Sequence, residues 1–147
     1  MILTTVLLVA LVMVPAIVLH ECAHGWMAYR LGDPTAKLMG RLTLNPLRHI
    51  DPVGTVVVPL SLYVLHLLGL NQSLVMFGWA KPVPVNFSAL PRPRLDKVLV
   101  ALAGPVTNLV LAFALAQVYR SGLTGEIKER FFGGVLLNVA LAVFNLI

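Results

Sequence analysis

The chain has 147 residues, of which 59% are apolar and only 12% are charged, whereas about 25% of the residues in an ordinary soluble domain are charged. This composition excludes intrinsic disorder and argues against a soluble globular protein. The net charge is +5, but the basic residues lie between apolar runs, as they do in the cytoplasmic loops of membrane proteins, so they indicate no nucleic-acid partner.

Four stretches contain no Asp, Glu, Lys or Arg. They cover residues 1–19, 52–80, 98–119 and 131–147, and are 19, 29, 22 and 17 residues long. Since about 20 helical residues cross the hydrocarbon core of a bilayer, we predict an all-α membrane protein with about four transmembrane helices in a single domain.

The first predicted helix begins near Ile2 and ends around Gly32, because the following Asp-Pro pair disfavours continuation. The connector after it, up to residue 54, is punctuated by Gly and Pro, so we expect a structured loop. Within that loop, residues 37–44 alternate partially between apolar and polar side chains, which favours a short strand.

The second predicted helix runs from Val53 to about Leu70, and residues 71–73 mark its exit. Residues 74–80 are apolar but too short to cross a bilayer, and the sequence does not decide whether they re-enter it. The prolines within residues 81–86 exclude a helix and predict an extended segment. The third predicted helix covers residues 95–119.

The last apolar run, residues 131–147, is short. At about 1.5 Å per residue it reaches about 25 Å, less than the roughly 30 Å of the hydrocarbon core. It also stops at Asn145-Leu146-Ile147 without a polar anchor. We therefore expect residues 1–147 to be one domain that is truncated within its fourth helix, with a tilted or half-inserted helix as the alternative.

The three charged connectors cover residues 20–51, 81–97 and 120–130, and contain four, four and three Lys or Arg residues in chain order. If every run crosses once, the first and third connectors lie on the same side and hold most of these residues. The positive-inside rule then places both in the cytoplasm and the amino terminus outside.

The segment His20-Glu21-Cys22-Ala23-His24 is an H-E-x-x-H sequence near the end of the first helix. Residues i and i+4 share one helix face, so both imidazoles can bind one metal ion. Glu21 lies about 100° round the helix, close enough for its carboxylate to hold a metal-bound water without itself being a ligand. Imidazole ligands in this arrangement suit zinc. A chance match or a metal-free polar cluster is disfavoured, because ionisable groups are costly in a membrane.

These residues resemble the site-2 protease family of intramembrane zinc metalloproteases, and specifically its small prokaryotic branch without an extra soluble domain. Beyond residues 20–25, the likeness extends over further motifs, which lie at residues 32–36, 40–46, 49–52, 78–86 and 103–108. The resemblance implies a zinc-dependent endopeptidase that hydrolyses transmembrane substrates within the membrane. It also implies one Zn²⁺ per chain, with His20 and His24 as ligands and Glu21 as the catalytic base.

The family supplies a third zinc ligand from an Asp in an Asn-x-x-Pro motif followed by Leu-Asp-Gly. Residues 145–147 resemble only the beginning of that motif, so the third ligand is missing here. A catalytically silent scaffold that binds substrate helices is therefore the alternative function. The carboxylates of Asp33, Asp51 and Asp96 are interpreted as turn or interface groups rather than ligands.

Asn108 and Asn145 are candidate residues for lining the site or binding substrate, and Asn108 alternatively joins two helices. The pair Gly104-Pro105 predicts a close helix approach and a kink. Neither His49 nor His66 is assigned to zinc.

The expected partners are a transmembrane protein substrate and the lipid bilayer, and the oligomeric state is not specified. We expect a prokaryotic cell membrane, with the active site nearer its cytoplasmic side. Residues 38–44 and 82–85 are candidates for binding an unwound substrate as an added strand. A metal transporter is disfavoured, because the later helices show no ladder of acidic or histidine residues.

Overall fold

The computed structural model describes residues 2–70, 78–122 and 124–146, and the side chains from residue 11 onward except that of residue 126. Throughout this part of the chain the regular secondary structure is helical, which confirms the all-α prediction. The α-helices are α1 (Ile2–Arg30), α2 (Thr35–Leu38), α3 (Val58–Leu67), α4 (Pro93–Arg120) and α5 (Gly125–Phe144). A π-helix, Pro52–Val57, leads directly into α3, and two 3₁₀ turns, Pro46–His49 and Phe87–Ala89, lie in the connectors.

Helices α1, α4 and α5 form the body of the molecule, with α4 packed against both of the others. A Cβ atom on Gly134 of α5 would lie 3.2 Å from Val12 of α1 and 3.2 Å from Leu115 of α4. The missing side chain therefore lets the three helices meet. Each of the three helices also buries a small residue, namely Ala16, Ala112 and Ala142.

Within the described part of the chain, two helices are long and apolar enough to cross a membrane, Leu11–Arg30 within α1 and Pro93–Arg120. Only 28% of the most apolar 18-residue stretch of each helix is buried inside the protein. Large apolar side chains such as Phe113, which is 68% exposed, cover the outer surface. An apolar surface of this extent suits contact with lipid rather than with water.

The count of four spans is not confirmed. The segment Pro52–Leu67 is helical throughout, but at about 1.5 Å per residue it reaches only about 24 Å. The fourth helix begins at Gly125 rather than at residue 131 and includes Lys128 and Arg130 in its first turns. The predicted exit at residues 71–73 and most of residues 74–80 lie outside the described residues.

The strand predicted within residues 37–44 is not present, and this part of the prediction is corrected. Thr35–Leu38 form the short helix α2 instead. The Asp33 carboxylate accepts hydrogen bonds from the backbone N–H and the hydroxyl of Thr35, which starts a helical turn after Pro34. Gly40, with a φ of +62°, ends it in a left-handed conformation, as glycine commonly does after a helix.

The non-helical segment 78–86 packs against α1 at Gly25, the residue that follows the H-E-x-x-H sequence. A Cβ atom on Gly25 would lie 2.7 Å from Val83 and 2.8 Å from Leu42, so only glycine admits both loops at this point. The buried guanidinium of Arg41 donates to the carbonyl groups of residues 81 and 82, at 2.7 and 3.1 Å. These contacts fix segment 78–86 beside the histidines.

Asp33 connects the end of α1 to the same segment. Its Oδ2 atom accepts a hydrogen bond of 2.6 Å from the backbone N–H of Asn86, while Oδ1 accepts from Thr35. Burial alone would raise the pKa of this carboxyl, but the bonds from Thr35 and Asn86 outweigh it and hold the pKa below 3.8, its ordinary value. The fold therefore stabilises the charged form of Asp33.

Candidate metal centre

The two histidines of the H-E-x-x-H sequence converge on one point. Their Nε2 atoms are 3.0 Å apart, and the rings meet edge to face with centroids separated by 4.6 Å. The spacing of four residues on α1 produces this geometry, because both side chains project from one helix face. His20 is buried, with 5% of its surface exposed.

The backbone of α4 orients the second imidazole. Nδ1 of His24 lies 2.7 Å from the carbonyl oxygen of Val100. Since a carbonyl oxygen only accepts, Nδ1 carries the proton of this bond, and the lone pair of the neutral ring is left on Nε2. A histidine that binds a metal is commonly held in this way by a backbone carbonyl.

The facing nitrogen atoms fit a zinc ion. Two imidazole ligands of tetrahedral zinc, each about 2.0–2.1 Å from the metal, have nitrogen atoms about 3.3 Å apart, close to the observed 3.0 Å. Two lone pairs at that distance repel each other unless a proton or a cation lies between them. Among the described residues, no third His, Cys, Asp or Glu side chain joins the pair to form a group of three.

Helix α4 approaches the pair closely at Gly104. A Cβ atom at this position would lie 2.3 Å from Nε2 of His24 and 2.6 Å from Nε2 of His20. The space that an ordinary side chain would fill is therefore taken by the two imidazoles. The close helix approach predicted at Gly104 is confirmed, and it serves the histidines directly.

Glu21 lines a pocket together with the two histidines. One oxygen atom of its carboxylate is held by a hydrogen bond. Its Oε2 atom accepts a hydrogen bond of 2.8 Å from the backbone N–H of Val83. The pocket measures about 310 Å³ and is lined by His20, Glu21, His24, Pro82, Val83, Val85, Phe87, Val100, Ala101 and Asn145. It therefore combines the three polar groups of the motif with apolar walls from segment 78–86 and α4.

The two asparagines predicted near the site occupy different positions. Asn145, directly after α5, lines the pocket, and its Nδ2 donates to the carbonyl of Leu141 at 2.7 Å. Asn108 is fully buried on α4, one turn after Gly104. Its carboxamide lies beside His20.

The three aspartates make structural contacts. Besides Asp33 in the loop contact, Asp51 accepts from the first backbone N–H groups of the π-helix, and Asp96 pairs with Arg92 at 3.3 Å. Cys22 lies on another face of α1, where its Sγ donates to the carbonyl of Thr43. None of these groups lies with the histidine pair.

Sequence reasoning missed two contributions to the site because they come from the backbone. The carbonyl of Val100 and the N–H of Val83 carry no signature of residue type. The apolar lining residues Phe87 and Ala101 were missed as well. The Gly-Trp-Ala-Lys-Pro run at residues 78–82 was the available signal, since a proline-rich extended segment presents backbone groups that no helix uses.

The bond between Val83 and Glu21 leads to a test. Val83→Pro removes the N–H donor within a segment already rich in proline, and a hydrogen bond to a charged group contributes about 1.5–3 kcal/mol. If the site hydrolyses peptide bonds, as the resemblance implies, we expect the rate of cleavage to fall at least about tenfold. Val83→Ala keeps the N–H and should retain most of the activity. Equal losses in both variants would show that side-chain packing, and not the hydrogen bond, is what matters.

A helix that aims two imidazoles at one point, with a carboxylate on the adjoining face, is the arrangement of metal-dependent peptidases. Residues 8–125 match the model of Peptidase family M50, and the chain belongs to this family of membrane-embedded peptidases. The resemblance to the site-2 proteases is thereby confirmed.

Several bacterial proteins are similar to the chain. It is 40% identical over 139 residues to the "Putative zinc metalloprotease YwhC" of Bacillus subtilis, covering 88% of this chain and 57% of the relative. It is 34% identical over 133 residues to the "Putative zinc metalloprotease Rip2" of Mycobacterium tuberculosis, covering 88% of this chain and 47% of that protein. The chain thus spans about half the length of the curated relatives it matches. A comparison with solved structures gave no match.

Proposed function

We propose that this protein is a zinc-dependent endopeptidase that cleaves transmembrane protein substrates within the membrane. The observation that carries the proposal is the convergence of the Nε2 atoms of His20 and His24, 3.0 Å apart, beside the carboxylate of Glu21. The names of the similar bacterial proteins support a metalloprotease and zinc as its metal.

His20 and His24 are the proposed zinc ligands, with one zinc ion per chain. When bound, zinc supplies a Lewis acid that polarises a carbonyl group and makes water more acidic. Val100 holds His24 in the tautomer that this role needs. Gly104 leaves the room in which both rings meet.

Glu21 is the proposed general base. With Oε2 held by the N–H of Val83, Oε1 is left to accept a proton from the attacking water molecule. The water oxygen then bonds to the scissile carbonyl carbon, the C–N bond breaks, and Glu21 passes its proton to the leaving nitrogen. The role of Glu21 is thus to move one proton across the breaking bond.

The substrate must reach the pocket in an unwound form, because a helix hides its peptide bonds inside its own hydrogen-bond ladder. Segment 78–86 borders the pocket and is not helical. We propose that it binds substrate backbone as an added strand, and that Asn145 contacts the substrate at the opposite wall. The silent scaffold is not favoured, because the chemically active groups of the motif are assembled.

A reporter experiment tests this function. The protein is reconstituted with a single-span reporter, and the products are analysed by mass spectrometry. We expect a cut within the span that stops when a zinc chelator is added and returns with zinc. Cleavage that is indifferent to chelation would contradict the zinc mechanism, and a cut confined to the soluble flanks would contradict the intramembrane substrate.

We further propose that α5 and Pro52–Leu67 also enter the membrane, and that the protein resides in a prokaryotic cell membrane. The active site then lies nearer the cytoplasmic side. His24 is six residues from the end of α1 at Arg30, about 9 Å along the axis. The excess of Lys and Arg in the first and third connectors supports a cytoplasmic position for that end.

Labelling of a single cysteine tests this orientation. Leu38, which is 80% exposed in the first connector, is replaced by cysteine in a Cys22→Ala background. An impermeant maleimide should leave this cysteine unlabelled in intact cells and label it after lysis. Ready labelling in intact cells would reverse the proposed orientation.

A further inference from the structure

The contact between α1 and α4 contains buried polar atoms without partners. Nδ1 of His20 makes no hydrogen bond, and neither do Oδ1 and Nδ2 of Asn108. Asn108 is 0% exposed. Since most buried polar groups in proteins are hydrogen-bonded, two such side chains at one helix contact point to a shared role.

The spacing of residues on the two helices places these side chains together. Val100, Gly104 and Asn108 are four residues apart and share one face of α4. His24 contacts Val100, both imidazoles lie over Gly104, and Asn108 lies beside His20. His20, whose Nδ1 atom lacks a partner, is thus next to Asn108, whose Oδ1 and Nδ2 atoms make no hydrogen bond.

We propose that Asn108 is a positioning residue of the metal centre, whose carboxamide oxygen accepts the Nδ1–H of His20 and keeps the Nε2 lone pair directed at zinc. The inference rests on the proposed zinc site. It gives His20 the same support that the Val100 carbonyl gives His24. The carbonyl of Gly104 also lies beside His20, and it is the competing acceptor.

Metal affinity provides a readout that does not depend on activity. The purified chain in detergent is titrated with zinc against a chromogenic chelator, and with Co²⁺ to record its visible absorption. Asn108→Leu removes the acceptor at similar size, and we expect zinc affinity to fall about 10–100-fold, as it does when the partner of a ligating histidine is lost. Asn108→Asp keeps an acceptor and should stay within a few-fold of wild type, with a similar cobalt spectrum.

Asn138 provides a matched control. It is also a buried asparagine, 2% exposed on α5, but its Nδ2 donates to the carbonyl of Gly134, and it does not line the pocket. Asn138→Leu should therefore leave zinc affinity unchanged. If Asn108→Leu does not fold, as judged by circular dichroism, Asn108→Ala removes the same acceptor without adding bulk and is expected to weaken zinc binding likewise.

Two outcomes would overturn the inference. Wild-type zinc affinity in Asn108→Leu would assign His20 to the Gly104 carbonyl, and equal losses in the Leu and Asp variants would make Asn108 a packing residue. His24→Ala separates this failure from that of the proposed function. If His24→Ala loses zinc while Asn108→Leu does not, only the proposed role of Asn108 is contradicted. Unchanged zinc affinity in His24→Ala would contradict the zinc site itself.

Discussion

Replacing Glu21 by glutamine is expected to abolish cleavage of a membrane-embedded reporter while leaving zinc affinity nearly unchanged. Glutamine has almost the same size and can still accept the hydrogen bond from Val83, but it cannot take up a proton. General base catalysis contributes about 10²–10⁴-fold to a rate, so the loss should be at least about 100-fold.

The measurement compares initial cleavage rates of the wild-type protein and the Glu21→Gln variant in the same vesicles, together with their zinc affinities. Undiminished cleavage by the variant would remove Glu21 from the mechanism. A large loss of zinc together with activity would instead make Glu21 a ligand.

The second large effect is expected at Gly104. In Gly104→Ala the new Cβ atom would lie 2.3 Å from Nε2 of His24 and 2.6 Å from Nε2 of His20, which is far inside van der Waals contact. Either the imidazoles or the whole of α4 must shift. A misplacement of about 1 Å can cost about 100-fold in rate, and we expect a loss of activity of that order together with weaker zinc binding.

Gly133→Ala is the matched control for this substitution. Gly133 also lies within a helix, α5, but a Cβ atom there would meet nothing within 4 Å. Alanine in place of glycine stabilises a helix by roughly 0.5–1 kcal/mol, so this variant should keep full activity. Equal damage by both substitutions would show that the effect of Gly104→Ala is not specific to the histidine pair.

The long helices could be predicted closely because their signals are local. The prediction placed α1 between Ile2 and Gly32, and it ends at Arg30. The bounds of α4, Pro93–Arg120, lie within two residues of the predicted ones. Hydrophobic length and the proline and glycine signals at the ends decide such elements. The predicted start of the last helix at residue 131 was wrong, because the charged residues before it were assigned to a connector, although a helix can continue beyond its apolar region.

The site could be predicted only in part. The pairing of His20 with His24 follows from helical geometry alone, as the structure shows. What surrounds the pair comes from distant parts of the chain, since the carbonyl of Val100 is 76 residues from His24 and the N–H of Val83 is 62 residues from Glu21. Backbone groups of this kind are identical in every residue but proline, so their role appears only when the packing of α1, α4 and segment 78–86 is known.

Zinc affinity of the histidine variants tests the central claim most directly. The wild-type chain, His20→Ala and His24→Ala are titrated with zinc against a chromogenic chelator in the same detergent. If the two imidazoles hold the metal, each substitution should weaken zinc binding at least about tenfold, because it removes a ligand. Zinc affinity that survives the loss of either histidine would contradict the proposed metal centre.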